Sequence, residues 1–124
     1  MTEELRVRNL SVPTGPVDVV LDTDTFNEID DQFALAYLLR SKEKLNTKAI
    51  YAAPFLNDRS VSAADGMEKS YNEILKLLSL MNETADVFRG SEQFLSDEKT
   101  PVLSSAAQDL AKRANAYSPE QPLY

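Results

Sequence analysis

Cysteine and histidine are both missing from this chain of 124 residues. Without cysteine there is no disulfide, no thiolate metal site and no cysteine nucleophile. Without histidine, a serine–histidine–aspartate triad and the usual zinc ligand sets are excluded within the chain. Any metal held here is bound by oxygen, which favours Ca²⁺ or Mg²⁺. Long apolar runs are lacking too. No stretch approaches ~18 uninterrupted apolar residues, and the opening MTEELRVRNL has no apolar segment of the secretory kind. The expectation is a soluble, cytoplasmic protein. Positive charge is scarce and scattered: 13 Lys and Arg stand against 20 Asp and Glu, a net charge of −7, with no basic cluster longer than a pair. A polyanion such as DNA or an anionic membrane is repelled by such a surface, so neither a nucleic acid nor a membrane is an expected partner.

What is present suffices for one small domain, since 43% of the residues are hydrophobic. Residues 1–16 are polar and end in Pro13-Thr14-Gly15-Pro16, a turn-rich lead-in. Residues 17–21 (VDVVL) read as a short buried strand closed by Asp22. After a polar loop, residues 30–40 form a helix with a wide apolar face of Phe33, Ala34, Leu35, Tyr37, Leu38 and Leu39. Residues 47–53 (TKAIYAA) give a second strand stopped by Pro54. A helix follows Ala64-Asp65-Gly66, with Met67, Tyr71, Ile74, Leu75, Leu78 and Met81 at helical spacing. Residues 86–89 (DVFR) read as a weaker third strand. Ser104 and Ser105 can cap a third helix whose inner face is Ala106, Ala107, Leu110, Ala111 and Ala114. Past the turn around Pro119 and Pro122, Leu123-Tyr124 begins something apolar.

Three strand–helix units in succession predict an α/β domain over residues 17–124, an open, mostly parallel sheet with helices on both faces. The apolar start at Leu123 predicts a fourth strand there, and hence a chain truncated after about three such units.

The informative segment runs from Asp22 to Gln32, DTDTFNEIDDQ, with five carboxylates in ten residues. It joins a strand to a helix, where open parallel sheets bind ligands. Crowded carboxylates repel one another unless a cation neutralises them or some face water. A hard cation would take oxygen ligands from the strand end and the helix start. Equally, Asp30 and Asp31 are what a helix N-terminus prefers, so a solvated acidic loop fits the spacing as well. A calcium-binding EF-hand does not, because Asn27 and Phe33 stand where its Gly and Glu belong.

The pattern resembles the N-terminal signature of the nucleoside hydrolase family, of the inosine-uridine preferring type. That signature is a strand, Asp-x-Asp, a short spacer, Asp-Asp and an Ala/Leu-rich helix, here Val19-Val20-Leu21-Asp22-Thr23-Asp24 and then Asp30-Asp31-Gln32-Phe33-Ala34-Leu35-Ala36. The spacer has five residues, Thr25 to Ile29, where three are usual, as in a subgroup with a longer loop. Phe55-Leu56-Asn57 and Val87-Phe88-Arg89-Gly90 are similar to later family segments.

The resemblance implies a Rossmann-like fold and hydrolysis of the N-glycosidic bond of ribonucleosides by calcium-bound water, a step of purine and pyrimidine salvage. It implies Asp24 as calcium ligand and base, Asp31 as a second calcium ligand, and Asp30 near both the metal and the ribose hydroxyls. Asp22 shapes the site, and Asn57 contacts the ribose or merely caps its loop. Asn27 and Glu28 inherit no role. The family's remaining ligands come from later in the chain, so this stretch holds about half of a site and alone is expected to be inactive. A homo-oligomer is open for the full-length form. Two other readings stand beside it. One is a haloacid dehalogenase-like phosphatase with Asp22 as nucleophile, although Thr25 and Phe26 depart from its usual continuation. The other is a truncated, non-catalytic module that binds metal or sugar.

Overall fold

The computed structural model describes residues 2–124. Seven elements follow one another: α1 (Glu3–Leu10), β1 (Val17–Thr23), α2 (Ile29–Arg40), β2 (Leu45–Ala52), α3 (Ala63–Met81), β3 (Val87–Arg89) and α4 (Ser105–Ala114). The three strands form one open sheet in the order β1-β2-β3, parallel throughout. The expected α/β architecture is therefore present. No helix is long and apolar enough to cross a membrane among the described residues.

β2 is the middle strand, and its residues Ala49, Ile50, Tyr51 and Ala52 are all buried, as a strand covered on both faces must be. Alternation divides them. Ile50 and Ala52 pack with Leu35 and Leu39 of α2 and Met67, Ile74 and Leu78 of α3. Ala49 and Tyr51 face the other way, onto Ala106 of α4, with Val20 and Phe88 beside them. Between Val19 and Val20 the register slips, leaving Lys48 as an extra residue in β2.

Several expected details differ. The lead-in contains a helix, α1, capped by the Thr2 side chain and with Glu3 and Glu4 in its first turn, yet it buries no residue. Favourable end charges and a cap suffice for it locally, and burial periodicity gave no sign of it. On α2 only Leu35, Leu38 and Leu39 are buried, while Phe33 and Tyr37 stay about 70% exposed. On α3, Leu75 points outward. On α4 only Ala106 is buried, so the expected inner face of Ala107, Leu110, Ala111 and Ala114 is largely solvent-exposed. A single amphipathic stripe shows which side faces inward, but how much of it is covered depends on the layer opposite. Tyr124 does lie along the outer edge of β1: its N–H donates to the Asp18 carbonyl at 3.0 Å and its carbonyl accepts from the Val20 N–H at 2.8 Å. Those two bonds flank Val19 in the manner of a parallel neighbour.

With little apolar cover, α4 is tied down by polar contacts. The Tyr51 hydroxyl donates to Asp109 Oδ2 at 2.9 Å, and Arg113 donates to both Asp109 and Asp86. Burial and the nearby Asp109 carboxylate push the Tyr51 phenol up to about 12. Burial alone would raise the Asp109 carboxyl, but its bonds from Arg113 and Tyr51 prevail and hold it below the usual carboxylate value. An acid depressed in the folded state contributes stability above its unfolded pKa and loses it as pH falls through the folded one. Asp109→Asn is therefore expected to cost about 1–2 kcal/mol in urea denaturation at pH 7, with the gap to the parent closing below the carboxylate range.

Where α3 meets the loop after β2, an ideal Cβ on Gly66 would stand 2.0 Å from the Phe55 carbonyl oxygen. Alanine there gains about 1 kcal/mol of helix propensity but must push the backbone aside at a cost of about 1–3 kcal/mol or more. The clash wins. Gly66→Ala should lower the urea midpoint, while Gly15→Ala, with nothing within 4 Å, leaves it nearly unchanged.

Candidate functional site at the carboxyl ends of the strands

Parallel pairing sends both β1 and β2 out of the sheet at the same edge, and the Ala53 N–H donates to the Thr23 carbonyl at 2.9 Å just where they leave. The two loops that follow, residues 24–28 and 53–62, are neighbours from their first residues. The carboxyl ends of the strands, where these loops lie, are where open α/β sheets bind ligands.

Four carboxylates of the acidic segment occupy three environments. Asp31, in the first turn of α2, receives the Thr23 hydroxyl at 2.5 Å. Thr23 and Thr25 are both buried with their oxygens 3.0 Å apart. Thr23 has one hydroxyl proton and spends it on Asp31, so Thr25 must be the donor to Thr23. Asp24 is held from its other side: Asn27 Nδ2 donates to Asp24 Oδ2 at 2.9 Å, and the Asn27 N–H donates to the Asp24 carbonyl at 2.6 Å. Asp30 is exposed and makes no side-chain hydrogen bond among the described residues, and its charge suits the helix start. Glu28 is the N-cap residue of α2 but forms no side-chain cap.

Asp22 is set apart. Strand alternation turns it to the α4 side, where it lines a cleft of about 200 Å³ with Tyr51, Pro54, Gly90, Ser104 and Ala106. Its pKa is raised, first by partial desolvation in that cleft and then by the charge of Asp24. Thr23, the next residue, faces α2 and holds Asp31, so the sheet separates Asp22 from Asp31.

Asn57 is engaged through both ends of its amide. Its Oδ1 accepts from the Arg59 N–H at 2.9 Å, and its Nδ2 donates to Asn27 Oδ1 at 2.6 Å. The Arg59 guanidinium donates to the Asn27 carbonyl at 2.6 Å. Phe26 stacks on Phe55 with ring centroids 6.4 Å apart, closing the apolar side of the same junction. Asn27, placed by sequence in an insertion with no role, is thus the residue that joins the two loops. Thr23, Thr25 and Arg59 were not singled out either. The one available signal was the Thr23/Thr25 alternation at the end of an apolar strand, where hydroxyls are buried only if bonded.

None of Asp22, Asp24, Asp30 and Asp31 is paired with a cationic side chain within 4.0 Å among the described residues. Their hard oxygens suit Ca²⁺ in kind. They do not form a shell for it in arrangement: among the described residues, no three acidic side chains come together around one ion position. In comparisons with known proteins, no family model, no curated protein and no solved structure matches this chain.

Calcium affinity follows ligand charge count and the rigidity of the site. Calorimetric titration of the chain with Ca²⁺ is expected to show binding no tighter than about the millimolar range, weakened further by Asp31→Asn. Micromolar binding would mean that the loop regroups its carboxylates around the ion.

Proposed function

We propose that this loop cluster is the sugar-facing part of an N-ribosyl hydrolase site, acting on ribonucleosides. The observation that carries the reading is the way Asp24 and Asp31 are held. One comes from the strand end and the other from the helix start, and each has one oxygen fixed by a neutral donor and is unpaired with any cation. Carboxylates used for structure are ordinarily paired, whereas these keep their charge and lone pairs for something that donates hydrogen bonds or develops positive charge. A ribose ring does both. Its hydroxyls donate to carboxylates, and breaking its bond to the base passes through an oxocarbenium-like sugar. The pattern Asp22-Thr23-Asp24 with Asp30-Asp31, which resembles nucleoside hydrolases, supports the same chemistry.

In this reading Asp24 takes the proton of the attacking water, general-base work that contributes ~10²–10⁴-fold in rate. Asp30 and Asp31 receive ribose hydroxyls, and the uncompensated charge of the cluster stabilises the cationic sugar as it forms. Asn57 keeps the neighbouring loop in place. Asp22 shapes the cleft on the α4 side. Calcium is proposed only as an added ligand of the loop, and no step above is routed through it. With Asp30 exposed and no side chain assigned here to protonate the leaving base, turnover is not the property expected of this loop cluster.

Binding is therefore the property to test in this chain. Uridine added to ¹⁵N-labelled protein should shift backbone amides of residues 22–31 and 55–60. Losing one hydrogen bond to a charged acceptor costs roughly tenfold or more in affinity, so 2′-deoxyuridine and the Asp30→Asn variant should each bind that much more weakly. Equal binding of uridine and 2′-deoxyuridine, or shifts confined to other surfaces, would remove the ribose from this site.

A further inference from the structure

Asn27 uses nearly every polar group it has. Its N–H and Nδ2 donate to Asp24, its Oδ1 accepts from Asn57, and its carbonyl accepts from Arg59. The amides are also ordered in direction. The Arg59 N–H donates to Asn57 Oδ1, Asn57 Nδ2 donates to Asn27 Oδ1, and Asn27 Nδ2 donates to Asp24 Oδ2. Each donor points one step nearer the carboxylate, and the series ends on its negative charge. Neither amide can be flipped, because a flip would set oxygen against oxygen at one contact and nitrogen against nitrogen at the other. Hydrogen bonds that end on a charge are also about twice as strong as neutral ones, so the last link orients those behind it.

We infer that Asn27 is a positioning residue, which pins Asp24 Oδ2 and so presents Oδ1 as the working oxygen, and which couples that orientation to the placement of the 55–60 loop. The consequence for chemistry rests on the proposed ribosyl reading; the coupling itself does not. Two features separate this from a simple loop staple. The series terminates on the one carboxylate assigned to take a proton, and Asp24 Oδ1 has no hydrogen-bond partner among the described residues. Arg59 is anchored further by Lys69, whose Nζ donates to the Arg59 carbonyl at 2.7 Å and to Asp65 Oδ2 at 2.7 Å. Loop 55–60 is thus fixed to α3 at one end and to Asp24 at the other.

The test uses the whole chain, labelled with ¹⁵N and ¹³C and without ligand. Asp24→Ala should shift the side-chain amide signals of Asn57, two hydrogen bonds away. It should also speed hydrogen exchange at the Arg59 N–H by roughly five- to tenfold, the worth of one loosened hydrogen bond. Asn27→Ala should do the same. Asn27→Asp keeps an acceptor for Asn57 but sets a carboxylate against Asp24 Oδ2 where the amide donated, so it should move both the Asp24 carboxyl ¹³C resonance and the Asn57 signals. Glu28→Gln, on the same loop but outside the series, should move neither. Asn57 signals and Arg59 exchange that ignore Asp24→Ala would overturn the coupling. Uridine then separates the two claims. If the parent binds it, Asn27→Ala should weaken binding about tenfold, and unchanged affinity would reduce Asn27 to a staple. If the parent does not bind it, the ribosyl reading falls, while the coupling stands or falls on the ligand-free spectra.

Discussion

Parallel pairing of β1 with β2 is the constraint from which the rest of the site follows. Antiparallel strands would send their outgoing loops to opposite edges. Parallel ones send both to the same edge, and the bond from the Ala53 N–H to the Thr23 carbonyl fixes the point of departure. That pairing is held by burial. Ala49 to Ala52 sit in the middle of the sheet between two layers, and Leu35, Leu39, Met67, Ile74 and Leu78 close over one of them. A parallel strand buried on both faces can slip by one residue only by exchanging the two sets of neighbours. The register is therefore firm, and so is the alternation that turns Thr23 toward α2 and Asp22 toward α4.

The site is built by two different economies of charge. Around Arg113, acids are matched by a base: Asp109 and Asp86 both meet it, and Asp109 also accepts from Tyr51. At the strand ends, acids are met by hydroxyls and amides, which orient a carboxylate without neutralising it. The same residue type thus serves as a structural tie in one place and as an unspent negative charge in the other, and the partner decides which. Concentrating unneutralised charge costs stability, and the loop bears that cost because buried Thr25, the Phe26–Phe55 stack and the Asn27 junction hold it rigid.

The asymmetry of the two layers has a physical origin as well. α2 and α3 enclose the larger apolar cluster, whereas α4 covers its face with one buried alanine. A helix with so little apolar contact depends on directional bonds, which explains why the ion pairs of Arg113 and the phenol of Tyr51 gather there. It also leaves the cleft beside Asp22 open enough to desolvate a carboxyl only in part.

Much of the fold was legible in the residues themselves. The β-branched run at 17–21, the breaks at Pro54 and Gly90, and the 3–4 spacing from Met67 to Met81 all report local backbone preferences and one-sided burial, which neighbouring residues suffice to determine. The absence of cysteine and histidine likewise settled the ligand chemistry available to any site. The acidic segment was visible for the same reason, as five carboxylates crowded at a strand–helix junction. What the tertiary structure alone decided is how those acids are divided and held. Whether Asp22 and Asp31 share a face depends on the pleat and on a register set by β2. Whether Asn57 is free or occupied depends on Asn27, 30 residues away in the chain. The exposure of Phe33, Tyr37 and the alanines of α4 depends on how far the opposite layer extends. Sequence periodicity records a side chain's direction along its own element, but a hydrogen bond between loops exists only when two strand ends have been brought together, and that is the work of the packed sheet.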